Sequence, residues 1–313
     1  MIKRTLYFGN PAYLSLKLKQ LVIKQPDAKG DMPDFGVPDS FSVIRTIPVE
    51  DIGIVILDHL QITVSQGLLA SLLDNNCAVI TCDQKHLPTG LLLPLVGNTI
   101  QNERFRHQVE ASLPLKKQLW QQTVVHKIRN QASVLKYTTG EIHRNLLIWA
   151  DGVRSGDAEN MEARAAAYYW KSLFPDNPRF IRGQEEDGPN GLLNYGYAIL
   201  RAIVARALVG SGLLPTLGIH HHNRYDAYCL ADDIMEPYRP YVDRMVFDLV
   251  HQGYGTEINK DTKQRLLSLP TTEVLIDGQR RPLMLAVNQT TASLAKCFVG
   301  DLRKVIYPLI ESD

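Results

Sequence analysis

The chain has 313 residues, of which 45% are hydrophobic and 21% are charged, and this is the composition of an ordinary globular protein. Such a composition excludes disordered and collagen-like classes. Because 34 lysines and arginines nearly balance 33 aspartates and glutamates, the chain has almost no net positive charge to attract nucleic acid. A nucleic acid partner would have to bind at a local basic patch.

The first 85 residues are predicted to form mostly strands. Apolar residues alternate with a period of two, or form short buried runs, in RTLYFG, QLVIK, SVIRTIPV, IGIVIL and CAVITC. Between the last two runs, Ser65 is a candidate N-cap for a helix over QGLLASLLDNN. We therefore assign residues 1–85 to a β-rich domain.

The next segment, residues 86–99, is rich in proline and glycine and is predicted to be a linker. Beyond it the apolar period is helical, so the second domain, residues 100–313, is predicted to be helical. We expect its helices at 101–136, 141–151, 159–174, 194–210, 229–250 and 286–311. The first of these has seven lysines and arginines against two glutamates, which suits either phosphate binding or an ordinary solvated face.

The N-terminus lacks the apolar stretch and the cleavage site of a signal peptide, and no segment offers about 18 uncharged apolar residues for a membrane span. The four cysteines are too few and too scattered for a disulfide framework. We therefore expect a soluble protein of the cytoplasm that has no contact with a membrane.

The segment GIHHHNRYDAYCLADDIMEPYRP, residues 218–240, contains the densest set of possible metal ligands. Asp233 and Glu236 are three residues apart and share one helix face, and Pro237 perturbs the turn that follows them. Carboxylates and one imidazole favour Mg²⁺ or Mn²⁺, whereas Cys229 keeps a zinc site open as the weaker alternative. The competing interpretation is that the acidic residues cap a helix and face solvent.

A second acidic segment, DAENMEARAAAYYWKSLF, begins with Glu159 and Glu162 on one helix face. The alanines that follow would let another helix approach closely, which suits a packed site. Alternatively, the glutamates are first-turn acids that the helix N-terminus stabilises, and the alanines are simply good helix formers. The chain has no P-loop, glycine-rich dinucleotide turn, nucleophile elbow or paired-histidine zinc helix.

These two segments, with LNYGYAILRAIVARALVGSGLLPTLGIHH between them, closely resemble the CRISPR-associated integrase family, whose members insert new spacers into CRISPR arrays. The shared order is a glutamate that opens an alanine-rich helix ending in Tyr-Trp, then Leu-Asn-Tyr-Gly-Tyr, then Leu-Gly-x-x-His, then Leu-Ala-x-Asp-x-Met-Glu. The specific motifs cover roughly residues 145–245, and HHHN and LADDIMEP look most like the type II branch.

The resemblance implies that Glu162, His221 and Glu236 are the catalytic residues and bind one Mg²⁺ or Mn²⁺, with Asp233 in a supporting role. The chain departs from the family where the usual Glu-Gly reads Glu162-Ala163. No serine, cysteine or tyrosine nucleophile is expected, because the nucleophile of the family is a DNA 3′-hydroxyl. Candidate DNA contacts among the basic residues are Arg104, Arg106, Lys116, Lys117, Arg224 and Arg239.

The fold implied by the resemblance is α+β, with an N-terminal β-sandwich domain that dimerises, followed by an all-helical catalytic domain that binds the metal. The implied activity is transesterification that joins the 3′-hydroxyl ends of a short DNA duplex, the prespacer, to the repeat of a CRISPR array. The implied partners are double-stranded DNA, a second copy of the chain and a smaller second CRISPR adaptation protein. The likeness to the type II branch adds the type II effector nuclease.

Two alternatives from other functional classes remain open at the level of sequence. A metal-dependent, structure-specific DNA nuclease of repair could use the same three ligands with water as its nucleophile. A non-catalytic DNA-binding scaffold would use the basic helix, and its acidic residues would be helix caps.

Overall fold

The computed structural model describes residues 3–26, 41–175, 177, 180–183 and 188–311. The chain divides into two compact units, Met1–Leu95 and Val96–Asp313. The segment predicted as a linker, residues 86–99, contains the point of division. Its first part differs from a linker, because residues Pro88–Leu92 form a strand that pairs with the strand before it.

The described residues of the N-terminal unit form two four-stranded sheets. One sheet has the strand order β1 (Arg4–Phe8), β5 (Ile52–Leu57), β7 (Ala78–Cys82) and β8 (Pro88–Leu92). The other has the order β4 (Phe41–Pro48), β3 (Gln20–Pro26), β2 (Ala12–Lys17) and β6 (Ile62–Val64). Helix α1 (Gln66–Asp74) follows Ser65, and its Leu72 shares one apolar core with Leu14 of β2 and Val55 of β5.

The C-terminal unit is mainly helical. In its described part the helices are α2 (Gln101–Val109), α3 (Leu113–Thr139), α4 (Arg144–Gly152), α5 (Met161–Leu173), α6 (Pro189–Gly210), α7 (Cys229–Met235), α8 (Arg239–His251), α9 (Lys260–Leu266) and α10 (Leu283–Val299). Helix α3 packs against α5 and α8, and α6 packs against α7 and α8. The mixed α+β class expected from the sequence is therefore confirmed.

Several helices differ from the sequence-based prediction in their bounds, and the helix expected at 229–250 is interrupted by a 3₁₀ turn at Glu236–Tyr238. The helix expected at 101–136 is divided into α2 and α3, because Ser112 caps α3 by accepting a hydrogen bond from the backbone N–H of Leu115. The helix expected at 286–311 ends at Val299, where Gly300 takes a left-handed φ of 96° that closes the last turn.

The prediction that the second domain is all-helical is wrong. Strands β9 (Glu273–Ile276), β10 (Gln279–Pro282) and β11 (Pro308–Leu309) form a small antiparallel sheet in the order β10-β9-β11. Asp277 and Gly278 join β9 to β10 with φ angles of 51° and 70°. Positive φ at both central positions is what a tight hairpin turn requires, and Asp-Gly is the sequence signal for it.

Helix α6 is long and apolar enough to cross a membrane, but 83% of its most apolar 18-residue stretch is buried inside the protein. Gly196 lies on the side that faces α8, where a Cβ atom would come within 2.5 Å of the Val242 side chain. This close contact and the burial identify α6 as the central core helix of the C-terminal unit.

Candidate metal centre

Two glutamates from distant parts of the C-terminal unit face each other across one lysine. Lys127 Nζ lies 2.6 Å from Glu162 Oε1 and 2.5 Å from Glu236 Oε2. Lys127 belongs to the middle of α3, Glu162 to the first turn of α5, and Glu236 to a 3₁₀ turn between α7 and α8. The three side chains are 12%, 22% and 6% exposed, respectively, so water screens their charges only weakly.

The break after α7 directs Glu236 into the protein. Pro237 stands in the 3₁₀ turn that separates α7 from α8, as the sequence predicted for a kink at this position. Glu236 Oε1 lies 2.8 Å from Arg239 Nε, whereas the buried Oε2 has no partner with hydrogen-bond geometry in the described part of the chain. Burial alone raises the pKa of Glu236, but the charges of Arg239 and Lys127 outweigh burial and lower that pKa below its ordinary value.

Asp157 fixes the position of Glu162. Its Oδ1 accepts a hydrogen bond of 2.9 Å from the backbone N–H of Met161, and its Oδ2 accepts one of 3.0 Å from the backbone N–H of Glu162. These donors belong to the first turn of α5, where a helix leaves its N–H groups unpaired. Sequence reasoning missed Asp157, because it lies several residues before the helix rather than at the usual capping position.

Asp233 holds the loop that contains the histidines. Its buried carboxylate accepts backbone N–H hydrogen bonds from Ile219 (2.7 Å), His220 (3.0 Å) and His221 (3.2 Å), and Oδ1 lies 2.5 Å from His221 Nδ1. With Nδ1 engaged, Nε2 of His221 is the nitrogen left for a metal, and a carboxylate commonly orients a metal-binding imidazole in this way.

The charges of both glutamates act on His221. Its hydrogen bond with Asp233 raises the pKa of His221 above the ordinary value, burial opposes that rise, and the charges of Glu236 and Glu162 add to it. The Asp233 contacts thus fix the position of the His221 imidazole and leave its Nε2 without a role in that hydrogen bond.

Close packing around Asp233 depends on Gly218. A Cβ atom at Gly218 would lie 2.3 Å from the carbonyl oxygen of His221 and 2.9 Å from Asp233 Oδ2. On the other side of the loop, His220 stacks on the buried Trp120 at 4.1 Å between ring centroids, and His221 meets the same ring edge-on at 5.6 Å. The Gly-x-x-His spacing therefore has a physical reason, which is the tight closure of the loop over a carboxylate.

The neighbouring candidate ligands are engaged elsewhere. Asp232 forms a two-point ion pair with Arg201, with distances of 2.6 and 2.8 Å. The thiol of the buried Cys229 donates to the carbonyl oxygen of Asp226 at 3.4 Å. A zinc site would need the thiolate of Cys229, so this arrangement does not favour zinc.

Two carboxylates and one imidazole nitrogen are a suitable donor set for Mg²⁺ or Mn²⁺. With the Lys127 ammonium between the glutamates, no three His, Cys, Asp or Glu side chains of the described residues are grouped around one common point. The ammonium nevertheless marks a position where the protein stabilises a cation, next to the buried Oε2 of Glu236. The residues present therefore fit a divalent ion in the place of the ammonium.

The candidate DNA contacts have different surroundings. Arg239 is part of the centre, because it pairs with Glu236 and lies 4.6 Å from the centroid of the Tyr197 ring. Arg104 is half-buried and donates to the carbonyl oxygen of Ser211, which gives it a role in the fold. Of the remaining candidates, Lys116 is half-buried, and the exposed ones are Arg106, Lys117 and Arg224.

A cavity of about 310 Å³ adjoins the centre. Lys127, Arg182 and Arg239 line it together with Tyr197 and Trp170. Three cationic side chains around one cavity suit an anionic ligand such as a phosphate group.

Comparison with known proteins agrees with this fold. A casposase bound to an integration product has a similar structure, with a TM-score of 0.74 and 18% identity over 97% of this chain and 92% of that chain. A Cas6-RT-Cas1–Cas2 complex has a chain with the same TM-score of 0.74 and 18% identity, over 99% of this chain and 36% of that chain. These likenesses define the fold class.

The sequence comparisons define the family. Residues 6–276 match the family described as CRISPR associated protein Cas1. The chain is 36% identical over 295 residues to the CRISPR-associated endonuclease Cas1 of Neisseria meningitidis serogroup C (strain 8013), which is 94% of this chain and 91% of the relative. The chain belongs to the Cas1 family, and the resemblance described from its motifs is confirmed.

Proposed function

We propose that this protein is a metal-dependent integrase of CRISPR adaptation, which joins the 3′-hydroxyl ends of a prespacer duplex to the repeat of a CRISPR array by transesterification. Membership of the Cas1 family supports the enzyme class, since the Neisseria relative is named an endonuclease and the casposase structure is bound to an integration product. The observation that carries the proposal is that Glu162 and Glu236, from distant parts of the chain, face each other across one cation.

Each residue of the centre has a defined task in this proposal. Glu162, Glu236 and Nε2 of His221 would hold Mg²⁺ or Mn²⁺. When bound, a divalent ion polarises the scissile phosphodiester and helps to generate an oxygen nucleophile. Asp233 keeps the imidazole oriented through Nδ1, and Arg239 holds Glu236 as a carboxylate. Glu162 and His221 are more exposed than Glu236, which leaves one side open to DNA.

The charged cavity beside the centre is the proposed place for a DNA phosphate, because Lys127, Arg182 and Arg239 can neutralise it there. A second, wider groove of about 790 Å³ lies along the opposite face of α3, and Arg129, Arg303 and Lys304 are among its lining residues. This groove suits the phosphate backbone of a duplex, which proteins bind through lysine and arginine side chains.

The partners follow from the family and from the structural neighbours. The Cas6-RT-Cas1–Cas2 complex supports a smaller second adaptation protein as a partner of this chain. Dimerisation through the N-terminal unit is proposed from the resemblance, and the exposed Leu18 (87%) and Leu60 (74%) provide apolar surface for it. A type II effector nuclease and a location in the cytoplasm are proposed from the sequence alone.

A second candidate activity is DNA cleavage with water as the nucleophile, which the endonuclease name of the Neisseria relative favours. The non-catalytic scaffold has less support, because a solvated helix cap does not fit a glutamate that is 6% exposed and paired with two cations.

The proposal predicts a specific loss of joining when Glu162 is replaced. The chain, the smaller adaptation protein, a 3′-hydroxyl duplex and a supercoiled plasmid with a CRISPR repeat are incubated with Mn²⁺, and covalently joined DNA is measured on a gel. Glu162→Gln should abolish joining, because a neutral amide is a poor ligand for a hard ion. Glu159→Gln, an exposed change three residues earlier, is the matched control and should join normally.

The same assay separates the competing activities. A duplex that ends in a 3′-deoxy group should not be joined, because it lacks the nucleophile. A plasmid that is cut without joining would support the nuclease instead. Normal joining by Glu162→Gln would show that the metal assignment is wrong.

A further inference from the structure

We propose that Lys127 is an internal counter-cation, which holds Glu162 and Glu236 together in the metal-free protein and leaves them when a divalent ion binds. Lys127 would then be a positioning residue that sets the affinity of the centre for metal. This inference rests on the proposed function, because it assumes that these glutamates bind a metal.

The ammonium and a metal ion cannot both occupy the centre. Lys127 Nζ lies 2.6 Å from Glu162 Oε1 and 2.5 Å from Glu236 Oε2, so it contacts the oxygens that face each other. Mg²⁺ binds such oxygens at about 2.0–2.1 Å and would therefore nearly coincide with Nζ. In addition, two cations repel each other strongly where the surroundings exclude water.

Without Lys127 the metal-free centre would contain an uncompensated negative charge. Arg239 pairs with Oε1 of Glu236, whereas Oε2 is buried and, among the described residues, forms its ion pair with Lys127. Glu162 would then face this oxygen as a second carboxylate with no cation between them. A buried charge that loses its partner is costly, so Lys127 keeps the two ligands close before metal arrives.

The structure also provides a place for the lysine after exchange. Lys127 lines the cavity of about 310 Å³ beside the centre, and Asp243 lies on the wall of the same cavity. A flexible four-carbon side chain can move its ammonium into this space without a change in the backbone. The exchange therefore needs only a rotation of one side chain.

The test compares metal binding by the full chain with and without the ammonium. After EDTA treatment and dialysis, Mn²⁺ is titrated by calorimetry into the wild type and into Lys127→Met, Lys171→Met and Glu162→Gln. Removing the competing cation should lower the Mn²⁺ dissociation constant of Lys127→Met about tenfold, because the metal no longer has to displace it. Lys171→Met makes the same change at an exposed position of α5 and should bind as the wild type does.

Thermal melting gives a second readout that does not depend on activity. Metal-free Lys127→Met should melt at a lower temperature than the metal-free wild type, and Mn²⁺ should raise its melting temperature by a larger amount. If Lys127→Met does not fold, crystal structures of the wild type grown in EDTA and in Mn²⁺ answer the same question. Lys127 Nζ should be at ion-pair distance from both glutamates in the first structure only.

The possible failures are distinguishable. Equal or weaker Mn²⁺ binding by Lys127→Met, with binding abolished in Glu162→Gln, would overturn the role of Lys127 and leave the proposed function intact. A lysine that stays between the glutamates in the Mn²⁺ crystal would overturn it in the same way. Absence of Mn²⁺ binding in every variant and in the wild type would contradict both proposals.

Discussion

A single buried carboxylate, Asp233, accepts four hydrogen bonds from the histidine loop, three from backbone N–H groups and one from His221 Nδ1. Its neighbour Asp232 is bound to a partly exposed arginine instead. Two adjacent residues of the same type thus have different tasks. Asp233 holds the loop and orients an imidazole, and Asp232 forms an ion pair nearer the surface.

This difference predicts unequal effects of two matched changes. Asp233→Asn places N–H groups of the amide against backbone donors, and we expect a loss of about 1–3 kcal/mol in the free energy of unfolding. Asp232→Asn should cost less than about 1 kcal/mol, because its partner is partly solvated. Urea unfolding followed by tryptophan fluorescence measures the C-terminal unit alone, since all three tryptophans lie in it. Equal losses in the two variants would contradict this account.

At the residue scale, the sequence predicted the ligands better than their neighbours. Glu162, His221 and Glu236 were assigned from ordered motifs, and the structure places all three near Lys127 or Asp233. That their role is to bind metal remains a prediction. Lys127 appeared in the sequence as one of several cations on a basic helix. Its partners are 35 and 109 residues away, and such distant contacts leave no local pattern.

Three helices of the C-terminal unit meet at one carboxylate, Asp243 of α8. It accepts hydrogen bonds from the hydroxyl groups of Tyr169 of α5, at 2.9 Å, and Tyr197 of α6. Complete burial raises the pKa of Asp243, the two tyrosine hydrogen bonds and the charges of Arg239 and Arg182 oppose that rise, and the resulting pKa is about 6. The packing of α5, α6 and α8 is therefore coupled to the protonation of this group.

The stability that Asp243 contributes to the folded chain decreases as the pH rises. Asp243 has a higher pKa in the folded than in the unfolded chain, so between pH 4 and 6 the folded state binds more protons, and stability falls as the pH rises. Its contribution to unfolding free energy should decrease by up to about 3 kcal/mol across this range. Asp243→Asn lacks that contribution, and the difference between variant and wild type by urea unfolding measures it. A difference that stays constant with pH would contradict the prediction.

At the scale of elements, local chemistry predicted most strands and helices but not every boundary. The alternating runs of the first half became β1, β3 and β4, whereas the continuous apolar runs became β5 and β7, whose residues are mostly buried. The separation of α2 from α3 and the hairpin at Asp277-Gly278 depend on single capping and turn residues. Apolar periodicity does not detect such residues, since they lie between the periodic segments.

The whole molecule consists of two units with different composition and one candidate reaction centre in the second. The formal net charge of the chain is +1, so binding of DNA must come from local cations such as those of the cavity beside the centre. The order of a β-rich unit followed by a helical unit was predictable from the change in apolar period. The shared role of Glu162, His221 and Glu236 was implied by the family resemblance and not by any local pattern, because these residues lie 59 and 15 positions apart along the chain.

The most direct test of the central claim is DNA joining by a single histidine variant. His221→Ala should fold and should give no joined prespacer–plasmid product in Mn²⁺, because it removes the imidazole that Asp233 holds and that is proposed to bind the metal. The adjacent, exposed His222→Ala should give the same amount of product as the wild type. Joined product from His221→Ala at the wild-type rate would contradict the account.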